Sequence, residues 1–554
     1  MYESASAPTT SALASGSAAI LYPPVFALLS AILSGPCRRS RAFTATFAVS
    51  GVAAMLSAPD QWRGPLLALL VPPLIGDHVP LRSMPRFVGV LALALGVGLV
   101  PTVRGDAIPA PSQPPQALEP PILAAPATDG ALLLVTIDTL RADSFWRVVG
   151  ELAPDDPLAR WLARSARFPD AHAEAPWTLP SIATVMSGVP ADVHGAGWRL
   201  GGSRSVSSIR PDAPLLADHL RDAGFVNAAI VSNPYLSHAF GLARGFDVFR
   251  EQDAWARAAA AIAGRPLFAI PGAALERRVP ADAAGVTAVA RDFLGRMGAG
   301  RFFLWVHYMD PHEPYRGGAG ELGAPWSCGS DEDAGRCFAS TREVRGGEVV
   351  LDDEQRASAR ALYEGDVTRS VAAVSALLGA LEAMDPARRV SVVLLGDHGE
   401  EFWEHGGMGH GHSLHEEVLR VPLAVTLPGY SAGVVSGDVG LDQVAATILQ
   451  ALHAEGIAGA GPPLPTTSEA PARPLVADCL LFGEQGRSVL LGGRKLIVDA
   501  RGDHLYDHGS DPKELVDIIG AFDTGDLRER LPTAEPATGD FTTTEALKSI
   551  GYLQ

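Results

Sequence analysis

The feature that most limits how this chain can fold is a set of short apolar runs that end abruptly in ligand-type side chains. Ala131-Leu-Leu-Leu-Val-Thr-Ile137 stops at Asp138-Thr-Leu-Arg-Ala-Asp143. Val390-Ser-Val-Val-Leu-Leu395 runs into Gly396-Asp397-His398-Gly399-Glu400, and Phe302-Phe-Leu-Trp-Val306 into His307-Tyr-Met-Asp310-Pro-His312-Glu-Pro-Tyr315. Apolar runs of this length bounded by polar residues read as buried parallel strands. Open α/β sheets place their ligands at the carboxyl ends of such strands. Val226–Val231 and Val421–Thr426 read as further strands, and helical periodicity fills about 353–384 and, more briefly, 214–223. This alternation predicts an α/β fold, a doubly wound and mostly parallel sheet with helices on both faces. The run 487–498 reads as a hairpin turning at its glycine pair, within a small C-terminal α+β subdomain of about 470–554.

Between the first two of these strand ends lies Ala175-Pro-Trp-Thr178-Leu-Pro-Ser181, followed by Ile182-Ala-Thr-Val-Met186. Pro180 two residues after Thr178 suggests a helix that begins at or near the threonine. A hydroxyl there faces free backbone N–H groups and the positive end of the helix dipole, a setting suited to an anion. A glycine-rich loop then supplies Glu404-His405-Gly-Gly-Met-Gly-His410-Gly-His412. Asp and His donors at several strand ends of one domain suit a divalent cation better than a series of unrelated turns.

The chain has 554 residues, of which 47% are hydrophobic, and its mean hydropathy is +0.15. The excess lies in four apolar stretches at about 18–35, 42–58, 64–81 and 87–103. Each approaches the minimum length that spans a bilayer, so residues 1–103 are expected to form a membrane anchor of about four helices. Arg38, Arg39 and Arg41 follow the first stretch, and Arg82 and Arg86 the third. The positive-inside rule then puts those loops in the cytoplasm and the remainder of the chain on the extracytoplasmic side. Residues 104–130 are Pro- and Ala-rich and read as a semi-extended linker to a catalytic domain at 131–554. A formal charge of −18 argues against nucleic acid as a partner. Cys328 and Cys337 flank a short polar loop without metal-type spacing, and outside the cytoplasm the reading is a disulfide that closes it.

These motifs together resemble the sulfatase family of the alkaline-phosphatase-like superfamily. The resemblance rests on Val135–Asp143, Ala175–Ser181, Asp310–Tyr315, Gly396–Glu401, and His410–His412 through Arg420–Leu423. It continues through Leu505–Asp507, Asp511-Pro512 and Glu545–Leu553. It implies that Asp138, Asp397 and His398, with Thr178, hold one divalent ion (Zn, Mn, Ca or Mg). It also implies that Thr178 is the nucleophile, and that His312 and His410 lie across the transferred group, to steady its charge or protonate the leaving oxygen. Asp310, His405 and His412 become candidates for substrate contact. Arg141 and Asp143 are expected to organise the first loop by salt bridge or capping.

The chain departs from the family pattern in two places. Sulfatases carry Cys or Ser in C-x-P-S-R, converted to formylglycine, whereas this chain has Thr178 and, at the arginine position, Ile182. A threonine cannot yield that aldehyde. The usual second aspartate is replaced by Thr139. Both changes resemble the phosphate-handling relatives, whose threonine is transiently phosphorylated. The expected activity is metal-dependent hydrolysis of phosphate or sulfate esters through a covalent Thr178 intermediate, on an anionic ester, glycan or lipid head group. The alternatives are a phosphoethanolamine- or phosphoglycerol-type transferase and a catalytically inactive binding module.

Overall fold

A computed structural model describes residues 130–197, 206–251, 282–297, 300–313, 315, 344, 350–387, 389–478, 486–532 and 541–542. The expected membrane spans, the linker up to residue 129, Cys328, Cys337 and Glu545–Leu553 lie outside the described residues.

Seven strands form the body of the main sheet: β1 (Ala131–Ile137), β2 (Ala166–His172), β3 (Val226–Val231), β4 (Val248–Glu251), β5 (Phe302–Tyr308), β6 (Val390–Gly396) and β7 (Arg420–Thr426). They lie in the order β2-β7-β6-β1-β5-β3-β4, with two short strands added on β2. β7 runs antiparallel to both of its neighbours, and the other pairings are parallel. The mostly parallel α/β sheet is therefore present, with one reversed strand that the apolar pattern did not distinguish. Pro422 is tolerated inside β7 because the ladder to β2 shifts register between Val421 and Leu423.

Side chains alternate between two separate cores, as the period of an extended chain requires. Leu132 and Leu134 of β1, Phe303 and Trp305 of β5, and Val393 and Leu395 of β6 enter one core. Leu133, Val135 and Ile137 of β1, with Leu304 and Val306 of β5, enter the other. The first core receives helix α1 (Thr178–Ser187). The second receives α2 (Ala283–Met297) and α3 (Asp353–Met384). Helix α3 is the one described helix long and apolar enough to cross a membrane, and its Tyr363, Val367, Val371 and Val374 are spent on this core. Its start is fixed by a capping box in which Asp352 and Gln355 satisfy each other's backbone N–H.

A second, four-stranded antiparallel sheet comprises β8 (Leu475–Ala477), β9 (Arg487–Leu491), β10 (Arg494–Asp499) and β11 (Gly502–Asp507). The expected hairpin is β9–β10, turning at Gly492 and Gly493 with φ of 58° and 78°. Such a turn needs positive φ at both positions, and glycine supplies it without a steric cost.

The small sheet is joined to the loop that follows β6 by a buried ionic network. Lys495, one of three lysines in the chain, puts its ammonium 2.8 Å from Glu416 Oε1 and 3.1 Å from Glu514 Oε1. Glu416 also meets His172 at 3.0 Å, and Glu514 meets His415 at 2.8 Å and His508 at 2.9 Å. Donor atoms of His172, Glu416 and His508 lie within 4.8 Å of one another. The Lys495 ammonium already neutralises Glu416, so this group is an ion-pair network and not a cation site. Short helix α4 (Glu416–Leu419) passes the support on. The N–H groups of Gly399 and Glu400 donate to the carbonyls of Val418 and Glu417 at 2.6 and 3.0 Å. A Cβ at position 399 would lie 2.1 Å from the Glu417 oxygen, so only glycine lets the two backbones approach.

Burial alone would raise both Glu416 and Glu514, but Lys495 and the neighbouring imidazoles hold them below the usual carboxylate range. Burial would lower His405, yet its bond to Glu417 raises it to about 9. The depressed acids stabilise the fold above a pH of about 4.5 and stop doing so as pH falls. The raised His405 stabilises it fully below about 6.5 and stops as pH rises through 9. The melting temperature should therefore peak between about pH 5 and 7 and fall on both sides. Lys495→Met, which removes the ammonium that two buried carboxylates share and leaves them only imidazole partners, should cost about 3–5 kcal/mol in denaturant unfolding. A flat pH profile with an unaltered midpoint in Lys495→Met would contradict this account.

Candidate active site

The register of β1 and β6 pairs Ile137 with Gly396, so the next residues, Asp138 and Asp397, leave neighbouring strands side by side. Both carboxylates are fully buried, as is His398. Thr139 turns the chain sharply after Asp138 with φ of 52°, a left-handed conformation unusual for a β-branched residue. In that turn the Thr139 N–H donates to Asp397 Oδ1 at 3.1 Å, and the Tyr363 hydroxyl donates to the Thr139 carbonyl at 2.8 Å. The tight turn thus ties the two strand ends together.

Thr178 is the first residue of α1, a ten-residue helix whose every side chain is buried. Trp177 precedes it in extended conformation with no side-chain cap, so Thr178 lies within the first turn. Its Oγ1 is 3.5 Å from Asp138 Oδ1 and 3.4 Å from His398 Nε2. Ser181, one turn on, donates to the Asp397 carbonyl at 2.6 Å and anchors the helix against β6.

His398 Nδ1 lies 3.0 Å from the Gly399 carbonyl, which can only accept, so the proton sits on Nδ1. Nε2, facing Thr178, Asp138 and Asp397, would become the lone-pair nitrogen of the ring once a bound cation displaced its proton. His410 is oriented in the same way by Glu400, at 3.0 Å from its Nδ1. The ring centroids of His410 lie 4.6 Å from His398 and 5.0 Å from His312. His312 and His410, the pair the resemblance put on the far side of the transferred group, therefore stand together, with His398 beside His410.

Burial pushes the Asp397 carboxyl upward, and the Asp138 charge adds to it. Burial would do the same to Asp138, but His312, His307 and His398 hold it low. His398 goes up to about 9 against its own desolvation, drawn by Asp397 and Asp138. Two carboxylates this close cannot both remain ionised in a dry site without a cation. Asp397 Oδ2 and Thr139 Oγ1 are buried and make no hydrogen bond. Oxygen and imidazole donors of Asp138, Asp397 and His398 lie within 4.8 Å of one another. The donor set, its excess negative charge and the unbonded Asp397 oxygen fit a divalent metal ion.

Two members of the site were not singled out in the sequence. Asn233, two residues past β3, donates through Nδ2 to Asp138 Oδ2 at 2.5 Å and to Thr178 Oγ1 at 3.2 Å. Its position at another strand end, before Pro234, was the available signal. His307 belongs to β5, which runs to Tyr308 where the apolar run suggested an end at Val306. Its Nδ1 meets Thr136 Oγ1 at 2.8 Å, and Nε2 lies 3.5 Å from Asp138.

The polar atoms of the three candidate substrate contacts are engaged within the protein itself. Asp310 accepts from the Ala283 N–H and from Arg369, both at 2.7 Å, tying α2 to α3. His405 spends one nitrogen on Glu417 and the other on the Glu514 carbonyl, stacked 3.5 Å from His415. His412 is held by Glu401 at 2.9 Å. Arg141 forms the expected salt bridge with Asp143 at 2.8 Å and also reaches Glu404 at 2.7 Å.

An α/β sheet with a buried acid–imidazole cluster and a helix-borne hydroxyl at its carboxyl edge defines an ester-hydrolase type of site. The chain belongs to the sulfatase family: the family model matches residues 131–454. Members of this family are hydrolytic enzymes that bind a divalent metal ion. The fold is similar to that of a 2-O GAG sulfatase, at 17% identity and TM-score 0.53, over 73% of this chain and 90% of that one. A protein solved with its substrate D-glucosamine-2-N,6-O-disulfate is similar at 16% identity and TM-score 0.54, over 76% and 98%. The phosphonate monoester hydrolase from Silicibacter pomeroyi is similar at 21% and 0.51, over 72% and 93%. A search of curated proteins finds no match.

Purified protein should carry one divalent ion per chain by elemental analysis, and Asp397→Asn should remove most of it. At free metal 100-fold above its dissociation constant, the bound ion should add about 2.7 kcal/mol to stability. Purified protein that holds no divalent ion and keeps its melting temperature through added metal and chelator, or an Asp397→Asn variant with the parent's full metal content, would refute the ligand set.

Proposed function

We propose that this chain hydrolyses anionic phosphate esters, with sulfate esters the lesser reaction, and that Thr178 is the nucleophile. The observation that carries the proposal is the placement of Thr178 Oγ1 at 3.2–3.5 Å from Asn233, His398 and Asp138, at the positive end of a buried helix. Asp138, Asp397, His398 and Thr178 would hold the metal. When bound, that ion lowers the pKa of the threonine hydroxyl and neutralises charge on the transferred group.

The deprotonated Thr178 oxygen attacks phosphorus in line. A Thr178 Oγ–P bond forms as the ester P–O bond breaks. The departing oxygen takes a proton held by His312 or His410, whose ring centroids stand 5.0 Å apart, edge to face. The same imidazole then removes a proton from water. That water oxygen attacks phosphorus, the Thr178 Oγ–P bond breaks, and the phosphate product leaves. Asn233 orients the nucleophile before attack, with its amide hydrogens on both Thr178 and Asp138. The helix N-terminus steadies oxyanion charge.

The structurally similar proteins include both a sulfatase and a phosphonate monoester hydrolase, so this fold accommodates either centre. Threonine favours phosphorus, since it offers no route to the aldehyde that sulfatases use. The apolar stretches before residue 104 favour an integral membrane protein with an extracytoplasmic catalytic domain. They also support a second reading, transfer of a phospho-group from a lipid donor to an acceptor hydroxyl.

Thr178→Ala should lower turnover of aryl phosphate diesters by roughly a thousandfold or more. It should also abolish a phosphorylated Thr178 peptide detectable by mass spectrometry after quenching. Asn233→Ala should cost roughly 10- to 1,000-fold in kcat. Unchanged turnover in Thr178→Ala would remove the nucleophile assignment, and labelled lipid donor appearing on glycan in place of water would select transfer over hydrolysis.

A further inference from the structure

The main sheet has a second edge, and it is basic where the catalytic edge is acidic. Gly130 immediately precedes β1, Arg301 immediately precedes β5, Val390 begins β6, and Thr426 ends the reversed strand β7. All four therefore lie at the end of the sheet opposite Asp138 and Asp397. They line one cavity of about 630 Å³ together with Arg164, Arg389 and His453. None of the residues that line it is Asp or Glu, in a chain of formal charge −18.

The three guanidinium groups are only partly occupied. Arg301 donates to the Ala223 carbonyl at 2.9 Å and lies over Phe225, and its buried Nε makes no hydrogen bond. Arg164 reaches Glu382 at 3.2 Å, a carboxylate it shares with Arg160 at 2.6 Å. Arg389 is half exposed and lies 3.4 Å from Asp385, whose other oxygen is taken by the Val390 N–H at 2.7 Å. Thr426 Oγ1 accepts from the Trp161 ring N–H at 3.0 Å, so its own hydrogen points elsewhere. Three guanidiniums thus face the cavity against two carboxylates at its rim. Leu427, Pro428 and Leu452 give it one apolar wall.

We propose that this cavity is a second anion site, separate from the catalytic centre, for a phosphate or sulfate group, free or borne on a partly apolar molecule. Guanidinium forks match such oxyanions in two-point contacts, and the apolar wall suits the substituent. The shared chemistry has two sources, a free inorganic anion and the head group of an anionic lipid.

The test is calorimetric titration of the full chain in zwitterionic micelles. The probes are inorganic phosphate, diheptanoyl phosphatidylglycerol, and diheptanoyl phosphatidylcholine as the zwitterionic control of zero net charge. Arg389→Gln and, separately, Arg164→Gln should weaken binding at this site roughly tenfold or more while leaving ester turnover intact. Asp397→Asn should spare it. Arginine-dependent binding of phosphate alone assigns a free-anion site, and dependence confined to phosphatidylglycerol assigns a lipid head-group site. Anion binding that neither arginine variant weakens, or equal binding of phosphatidylcholine, overturns the proposal. Because Asp397→Asn removes only the catalytic centre, failure here and failure of the ester-hydrolase reading remain distinguishable.

Discussion

Two like charges held side by side out of water are the constraint on which the rest of this molecule depends. Asp138 and Asp397 end adjacent strands in register, and both are fully buried. Left alone, such a pair drives one carboxyl to take up a proton. The surrounding groups are arranged against that outcome: His307, His398 and Asn233 all bear on Asp138, and two backbone N–H groups point at Asp397. The remaining imbalance is what a divalent cation would relieve, and Thr178 stands where its hydroxyl would feel the same charge.

Holding that pair in place takes more than the sheet. The loop after β6 carries Asp397, His398, Gly399 and Glu400, and it would be free to move if only the strand end fixed it. Helix α4 pins it through Gly399 and Glu400. Lys495 and three histidines in turn pin the acids of α4 and Glu514. The C-terminal sheet is therefore part of the catalytic apparatus in a mechanical sense, because its buried lysine keeps the loop's backing rigid. Buried ion pairs give little net stability over apolar packing, but breaking one is costly. That asymmetry suits a part whose task is to stay in one arrangement.

Strand ends were the most legible part of the sequence. A seven-residue apolar run followed by Asp leaves few places for the aspartate to be, and Asp138, Asp397, His398 and Thr178 do come together. His312 and His410, implied for the far side, also lie together. Less legible were roles decided by partners far away in sequence. His405 and His412 stand in a glycine-rich loop that reads as a binding element, but Glu417, Glu514 and Glu401 claim their nitrogens. Asp310 is claimed by Ala283 and Arg369. An Asn-Pro pair such as Asn233-Pro234 ordinarily marks a turn, and only the folded sheet brings Asn233 to Asp138. Strand direction was hidden for the same kind of reason: β7 has the apolar content of its neighbours, and its reversal is written in the ladder and not in the composition.

The account stands on a cation bound where these donors meet. Crystals grown with manganese and measured for anomalous scattering test it most directly. The prediction is one strong peak within bonding distance of Asp138, Asp397, His398 and the Thr178 hydroxyl. A metal peak elsewhere, with Thr178 turned away and the two carboxylates sharing a proton, would contradict it.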